Sequence, residues 1–103
     1  MLYIKDDNDF DIKGASVVKF SAEWCAPCKK METLINKMEK EFHNIKFFDV
    51  DVDKCNMLAK KYKVKSLPTL IFFIDKKEKN RITGAILTEP LRKILKEFNT
   101  QGE

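Results

Sequence analysis

The sequence predicts an α/β fold in which strands alternate with helices. Residues 17–20 and 45–52 are rich in β-branched and aromatic side chains, and a long helical pattern lies between them. Such a strand–helix–strand unit crosses over right-handedly and pairs its strands in parallel. Residues 69–74 and 81–85 are two further strand-like segments, and the short charged turn between them favours antiparallel pairing. With 103 residues, the chain has the length of one domain and can bury a core without cross-links.

The first elements along the chain are short. Residues 2–4 are expected to form an edge strand and residues 8–13 a first helix. The long helix that follows the strand at 17–20 is expected to reach about His43. Its apolar residues recur at the spacing of one helical face: Met31, Leu34, Ile35, Met38 and Phe42.

Two helices are expected in the second half of the chain. Asp53 is a good N-cap for the first of them, whose apolar face would hold Cys55, Leu58, Ala59 and Tyr62. Thr88 can cap the last helix, with Pro90 in its first turn. The inner stripe of this helix comprises Leu91, Ile94, Leu95 and Phe98. The tail from about residue 100 to residue 103 is expected to fray.

Composition and charge exclude several classes of function. Apolar residues make up 44% of the chain, which agrees with a packed globule, and the net charge is only +4. Basic and acidic residues are interspersed, which favours a soluble surface over a nucleic-acid-binding stripe, although a mild positive field favours acidic protein partners. Neither a signal peptide nor a run of transmembrane length is visible, so a cytoplasmic location is expected.

The segment Trp24-Cys25-Ala26-Pro27-Cys28 is the most informative feature of the chain. Two thiols separated by two residues at a helix start lie close enough to form a disulfide. The positive end of the helix and the following lysines favour thiolate on the first cysteine. Reversible dithiol chemistry is therefore the leading interpretation. Inert thiols and half of a zinc site are the alternatives, but only Cys55 and His43 are left to complete four zinc ligands.

These residues belong to a wider set through which the chain resembles the thioredoxin family. The set comprises FSAEWCAPCK at residues 20–29, VDVD at 50–53, SLPT at 66–69 and GA at 84–85, in the family's order and close to its spacing. The resemblance covers most of the chain. It implies one thioredoxin domain over residues 1–103, with a mixed five-stranded sheet between helices in three layers.

The resemblance also implies a small oxidoreductase that reduces protein disulfides. Cys25, nearer the helix start and more exposed, would attack the substrate disulfide, and Cys28 would resolve the mixed disulfide. The product is a Cys25–Cys28 disulfide. A flavin-containing thioredoxin reductase would regenerate the dithiol, so no cofactor or metal is expected in this chain. We expect a monomer that binds neither nucleic acid nor membrane.

The resemblance implies a substrate-binding surface around the cysteines. A cis peptide bond between Leu67 and Pro68 would expose the Leu67 backbone to an incoming peptide, which would pair with it like an added strand. An ordinary turn proline and a strand glycine that marks a bend are the alternatives for Pro68 and Gly84. The expected surface comprises Trp24, Ala26, Pro27, Leu67, Pro68, Gly84 and Ala85.

Lys19 is the sharpest departure from the family. Thioredoxins usually carry a buried Asp at this place, and Asp49 occupies a position where some members carry Lys. The two charges are therefore expected to be exchanged, with Lys19 facing Asp49 beneath the cysteines and tuning their thiols. The alternative is a Lys19 that extends to solvent without a chemical role.

The sequence leaves two alternative functions and the role of Cys55 open. An oxidant or isomerase with the same fold would use the same cysteines, and a binding module would use the fold as a scaffold only. Cys55 is expected to be a buried, inert thiol, and a regulatory or dimer-forming thiol is the alternative.

Overall fold

The computed structural model describes residues 1–101 and places five strands in one sheet. The strands are β1 (Leu2–Ile4), β2 (Ala15–Ser21), β3 (Lys46–Asp51), β4 (Thr69–Ile74) and β5 (Lys77–Thr83). The helices are α1 (Ala26–Glu41), α2 (Asn56–Lys61) and α3 (Thr88–Gln101). The order across the sheet is β1-β3-β2-β4-β5.

The predicted mixture of parallel and antiparallel pairs is confirmed. β3 lies between β1 and β2 and pairs in parallel with both. β4 runs antiparallel to β2 and to β5. Because β2 is central and leads into α1, the cysteine segment lies at the carboxyl end of a strand, where α/β sheets usually hold their sites.

Helices cover both faces of the sheet, which gives the expected three layers. Successive side chains of a strand point to opposite faces of the sheet. Val17 and Phe47 therefore pack on one face with α1 and α3. Val18 and Phe48 pack on the other face with α2. The inner stripe of α3 follows the prediction, with Leu91, Leu95 and Phe98 buried and Ile94 partly buried.

The helix predicted over residues 8–13 is wrong. Only Asp7–Asp9 form a single 3₁₀ turn, which begins where the Asp6 carboxylate accepts the backbone N–H of Asn8 at 2.9 Å. Aspartate and asparagine bond to nearby backbone in this way and so compete with a helix. The chain beyond the turn is extended at Phe10, and Ile12 is buried in the core.

The N-cap predicted at Asp53 is also wrong, because α2 begins at Asn56, with Cys55 as its N-cap residue. The Cys55 side chain makes no capping bond. Instead, the Asp7 carboxylate accepts the backbone N–H of Leu58 at 2.9 Å. Asp7, which lies in the 3₁₀ turn 51 positions earlier, therefore accepts a backbone N–H in the first turn of α2 that has no partner within the helix.

The turn between β4 and β5 is shorter than the predicted 75–80. Only Asp75 and Lys76 form it, with φ of 48° and 71°, and β5 begins at Lys77. Gly14 holds the turn, since it donates its N–H to the Asp75 carboxylate and accepts the Asp75 N–H, both at 3.1 Å. The first half of β5 is charged and exposed because it is an edge strand. For this reason it resembles a loop in sequence.

The start of α3 differs from the prediction by one residue. Leu91 donates its N–H to the Leu87 carbonyl oxygen at 3.1 Å, so the cap lies at Leu87 and Thr88 is the first helical residue. Thr100 is still helical, and its hydroxyl donates to the Lys96 carbonyl oxygen. Residues 102–103 of the predicted tail lie outside the described residues, so fraying from about residue 100 stays a prediction.

Candidate active site

Cys25 and Cys28 form a disulfide at the start of α1, with their Cα atoms 5.3 Å apart. Cys25 is the N-cap residue, and its sulfur accepts the backbone N–H of Cys28 at 3.3 Å. The cap places this sulfur at the positive end of a helix of 16 residues. The arrangement favours negative charge on Cys25 once the disulfide is reduced.

Both cysteines are buried in this oxidised form, and Cys25 is the more exposed of the two, as expected. Cys25 is 5% exposed and Cys28 is 1% exposed. The pair packs against Ala22, Val52 and Leu67. Cys25 is nevertheless the less buried of the two sulfurs. Ala26 and Pro27, which link the cysteines, are exposed, and Pro27 lies in the first helical turn, where its missing N–H costs nothing.

The Leu67–Pro68 peptide bond is cis. The carbonyl oxygen of Pro68 accepts the backbone N–H of Gly84 at 2.8 Å, so the proline loop and the end of β5 are tied together. Gly84 has φ +90° and follows the last residue of β5. A side chain there would meet open space but would strain the backbone. Ala85 is exposed beside it.

Trp24 stands beside a shallow groove that we name the Trp24 groove. The Trp24 side chain is 71% exposed, and its indole N–H donates to the Asp53 carboxylate at 2.9 Å. This bond fixes the ring next to the cysteines. The groove is lined by Trp24, Val52, Asn56, Ala59, Lys60, Val64, Lys65, Ser66 and Leu67. Of the predicted substrate-binding residues, Trp24 and Leu67 lie in this groove.

Lys19 and Asp49 form a buried ion pair beneath Cys28. They are direct partners in the register of β2 and β3, and their charged atoms lie 2.9 Å apart. Lys19 is 2% exposed and also donates to the Cys28 carbonyl oxygen at 3.0 Å. The second oxygen of Asp49 accepts the Ser21 hydroxyl. Lys19 therefore does not extend to solvent, and every charged atom of the pair has a polar partner.

A pocket of about 210 Å³ reaches this ion pair and Cys28 from the β1 side of the sheet. Tyr3, Glu23, Lys29, Glu32 and Asp51 are among its other lining residues. The Tyr3 hydroxyl donates to Glu32. This hydrogen bond, with partial burial and the neighbouring carboxylates, raises the pKa of Tyr3 to about 12. The hydroxyl therefore stays protonated throughout the physiological range.

Cys55 lies apart from this site, fully buried at the start of α2. Burial, followed by the charges of nearby aspartates such as Asp7 and Asp51, raises the pKa of Cys55 to about 11. A protonated, inaccessible thiol is a poor nucleophile, so the burial predicted for Cys55 is confirmed.

The described residues contain neither a metal-binding cluster nor a membrane-spanning helix. No group of three or more His, Cys, Asp or Glu side chains within residues 1–101 is arranged to hold a metal ion. In the same part of the chain, no helix combines the length and the apolar character needed to cross a bilayer.

Sequence reasoning missed several residues of the site. Asp53, expected to cap α2, instead accepts the indole N–H of Trp24. Ser21 is not among the predicted site residues, yet its hydroxyl donates to the Asp49 carboxylate. The strand alternation that links Lys19 to Asp49 also places Ser21 on their face, so this signal was present in the sequence. Tyr3 shows no such signal, because its place beside Asp49 depends on the pairing of β1 with β3.

Comparison with protein families and known proteins agrees with this geometry. The family model described as Thioredoxin matches residues 5–97. Thioredoxin H5 of Arabidopsis thaliana is 34% identical over 93 residues, which cover 90% of this chain and 77% of that protein. Thioredoxin-2 of Saccharomyces cerevisiae is 38% identical over 87 residues, which cover 80% of this chain and 84% of that protein.

A solved structure also resembles this chain. The crystal structure of the germline-specific thioredoxin Deadhead of Drosophila melanogaster superimposes with a TM-score of 0.84 at 28% sequence identity. The superposition covers 94% of this chain and 98% of that one. The agreement therefore extends over nearly the whole fold.

Proposed function

Because this chain belongs to the thioredoxin family and is a thiol–disulfide oxidoreductase, we propose that Cys25 and Cys28 carry its reaction as a reductant of protein disulfides. The observation that supports this most directly is the position of the two cysteines: Cys25 caps α1, and Cys28 lies behind it, nearly inaccessible. The less buried sulfur at the helix cap is suited to attack, and the buried one to resolution.

The proposed reaction takes place in two steps. The Cys25 thiolate attacks one sulfur of the substrate disulfide, forms a mixed disulfide and releases the other sulfur as a thiolate. Cys28 then loses its proton and attacks the Cys25 sulfur, which forms the Cys25–Cys28 disulfide and releases the second substrate thiol. Two electrons pass to the substrate. The second step is intramolecular and fast because α1 already holds the two sulfurs together.

We propose that Lys19 and Asp49 tune this second step. Lys19 is bonded to the Cys28 carbonyl oxygen, so its ammonium lies next to the residue that must become a thiolate. A positive charge near a thiol favours the thiolate. Asp49 holds Lys19 in this position and lines the pocket on the β1 side of the sheet. The pair would therefore act on Cys28 electrostatically.

The substrate would bind across the exposed surface around the disulfide. The Leu67 backbone precedes the cis proline, and the substrate segment would pair with it in an extended conformation. Trp24, Ala26 and Pro27 would contact the segment on the α1 side, and Gly84 and Ala85 beyond Pro68. The bond from Gly84 to the Pro68 carbonyl oxygen supports a shared surface.

We expect a thioredoxin reductase to supply the electrons and a single-domain monomer to act in the cytoplasm. The large exposed apolar residues support a monomer, because they are scattered over β1, the cysteine segment, α2 and the segment before α3. They are Leu2, Tyr3, Trp24, Met57 and Leu87.

A redox titration tests the proposed function. The protein is equilibrated in graded dithiol and disulfide buffers, and the fluorescence of Trp24, the only tryptophan, reports the adjacent disulfide. We expect a two-electron transition near about −270 mV, the potential of a reductant. The Cys25→Ser/Cys28→Ser variant is the control and should show no transition. A midpoint of about −120 to −180 mV would instead indicate an oxidant or isomerase.

A further inference from the structure

The Trp24 groove combines an apolar lining with two lysines. Trp24, Val52, Ala59, Val64 and Leu67 supply its apolar surface, and Lys60 and Lys65 also line it. Leu67 and Val52 at the same time pack against the cysteines. A peptide that reaches Cys25 across this groove therefore passes close to both lysines.

The segment that contains these lysines has no acidic residue. Residues 54–65 contain five lysines and no aspartate or glutamate. Within residues 1–101, only Lys54 of the five forms an ion pair, with Glu23 at 3.6 Å. The other four lysines have no carboxylate within 4 Å in that part of the chain. Their positive charge is therefore available to a ligand.

No carboxylate of the described residues lines the groove. Glu23 and Asp51 line the pocket on the β1 side and are absent from the lining of the groove. Asp51 accepts the backbone N–H groups of residues 53 and 54, and Asp53 accepts the indole N–H of Trp24. One oxygen of each carboxylate is thus hydrogen-bonded within the protein, and both carboxylates keep their negative charge outside the lining of the groove. The two sides of Trp24 differ in charge, and the groove is the positive side.

From this juxtaposition we propose that the Trp24 groove selects protein disulfides whose reactive cysteine is flanked by an apolar residue and by acidic residues. The inference rests on the proposed function and adds its substrate class. The apolar side chain is buried against Trp24 and Leu67, and the acidic side chains pair with Lys60 and Lys65. Attraction of this kind raises the association rate of an acidic partner and weakens with ionic strength.

The test compares two peptide disulfides that differ only in the charge of the flanking residues, glutamate in one and lysine in the other. At low ionic strength, we expect kcat/KM for the acidic peptide to exceed that for the basic peptide by about tenfold. In about 0.5 M salt the ratio should fall towards one. In the Lys60→Gln/Lys65→Gln variant, we expect the ratio at low salt to drop to about threefold or less.

A matched control carries the same loss of charge at the other end of the molecule. Lys40 near the end of α1 and Lys46 at the start of β3 are both exposed. Since α1 begins next to Cys25, its far end lies about 20 Å away. The Lys40→Gln/Lys46→Gln variant should keep the tenfold ratio. An equal loss in both variants would reduce the preference to net charge and overturn the proposed role of the groove.

Uncharged hydroxyethyl disulfide separates the failure of this inference from the failure of the proposed function. If the wild-type protein reduces it but treats the two peptides equally, or prefers the basic one, the preference for acidic substrates is overturned and the reductase function stands. If neither hydroxyethyl disulfide nor the peptides are reduced, the proposed function fails and the inference fails with it.

Discussion

Lys19 and Asp49 are both buried, so each charge is largely desolvated in the folded protein. Desolvating two charges is costly, and the cost is offset by their 2.9 Å contact and by the bonds to Cys28 and Ser21. Strand alternation alone was compatible with the pairing of Lys19 and Asp49. The register of β2 and β3, which sequence alone does not fix, makes them direct partners.

Removing one member of this pair should affect both stability and chemistry. Lys19→Met leaves the Asp49 carboxylate without its cation, so we expect the free energy of unfolding to fall by about 3 kcal/mol. The double variant Lys19→Met/Asp49→Leu removes both charges and should recover at least half of that loss. Urea denaturation measures both values.

The two variants then separate a structural role from a role in the reaction. If Lys19 favours the Cys28 thiolate, both variants should exchange disulfides roughly tenfold more slowly at neutral pH and should shift the pH profile of the rate upwards. A double variant that regains stability and keeps the wild-type rate at every pH would limit the ion pair to a structural role.

At the scale of elements, the errors of prediction concern the ends of helices and strands. The positions of the strands at 2–4, 17–20 and 69–74 and of the long helix followed from apolar patterns that packing preserves. The cap of α2 did not, because the capping carboxylate belongs to Asp7, far away in sequence. The start of β5 was equally hidden, because an exposed edge strand needs no apolar alternation.

The contribution of Asp7 to the cap of α2 can be measured with two variants. Asp7→Ala removes the acceptor of the Leu58 N–H, and we expect it to lower the free energy of unfolding by about 1 kcal/mol. Asp53→Ala is the matched control. Within the described residues the exposed Asp53 side chain bonds only to the exposed Trp24, so its loss should change stability by less than about 0.5 kcal/mol. Urea denaturation distinguishes the two. Equal losses, or a larger loss for Asp53→Ala, would refute the cap.

At the scale of the whole molecule, the resemblance carried by four short motifs was enough to predict a mixed five-stranded sheet between helices. The motifs sufficed because the family that they resemble has this fold. FSAEWCAPCK begins at the end of β2, VDVD begins at the end of β3, and SLPT ends at the first residue of β4. The position of Tyr3 at the site could not be predicted in the same way. Contacts such as Tyr3 to Glu32 join elements that share no sequence signal.

The stability of the whole fold should depend on pH through Cys55. The pKa of this thiol rises from an ordinary value of 9.0 to about 11 in the folded protein. Between these values the folded chain holds a proton that the unfolded chain has released. The free energy of unfolding therefore falls as the pH rises from about 9 to about 11.

Cys55→Ala removes this contribution, and the measurement is urea denaturation at about pH 8.5 and about pH 10.5. Cys25 and Cys28 are kept as the disulfide, so that only Cys55 titrates among the cysteines. We expect the alkaline loss of stability to be smaller in the variant by about 1 kcal/mol. Identical losses would mean that the buried thiol does not hold its proton.

The pocket beside Tyr3 and the Trp24 groove have no lining residue in common. A protein bound over the groove alone therefore leaves the pocket that Cys28 lines uncovered. A proton released from Cys28 can reach bulk solvent there without crossing the contact between the two proteins.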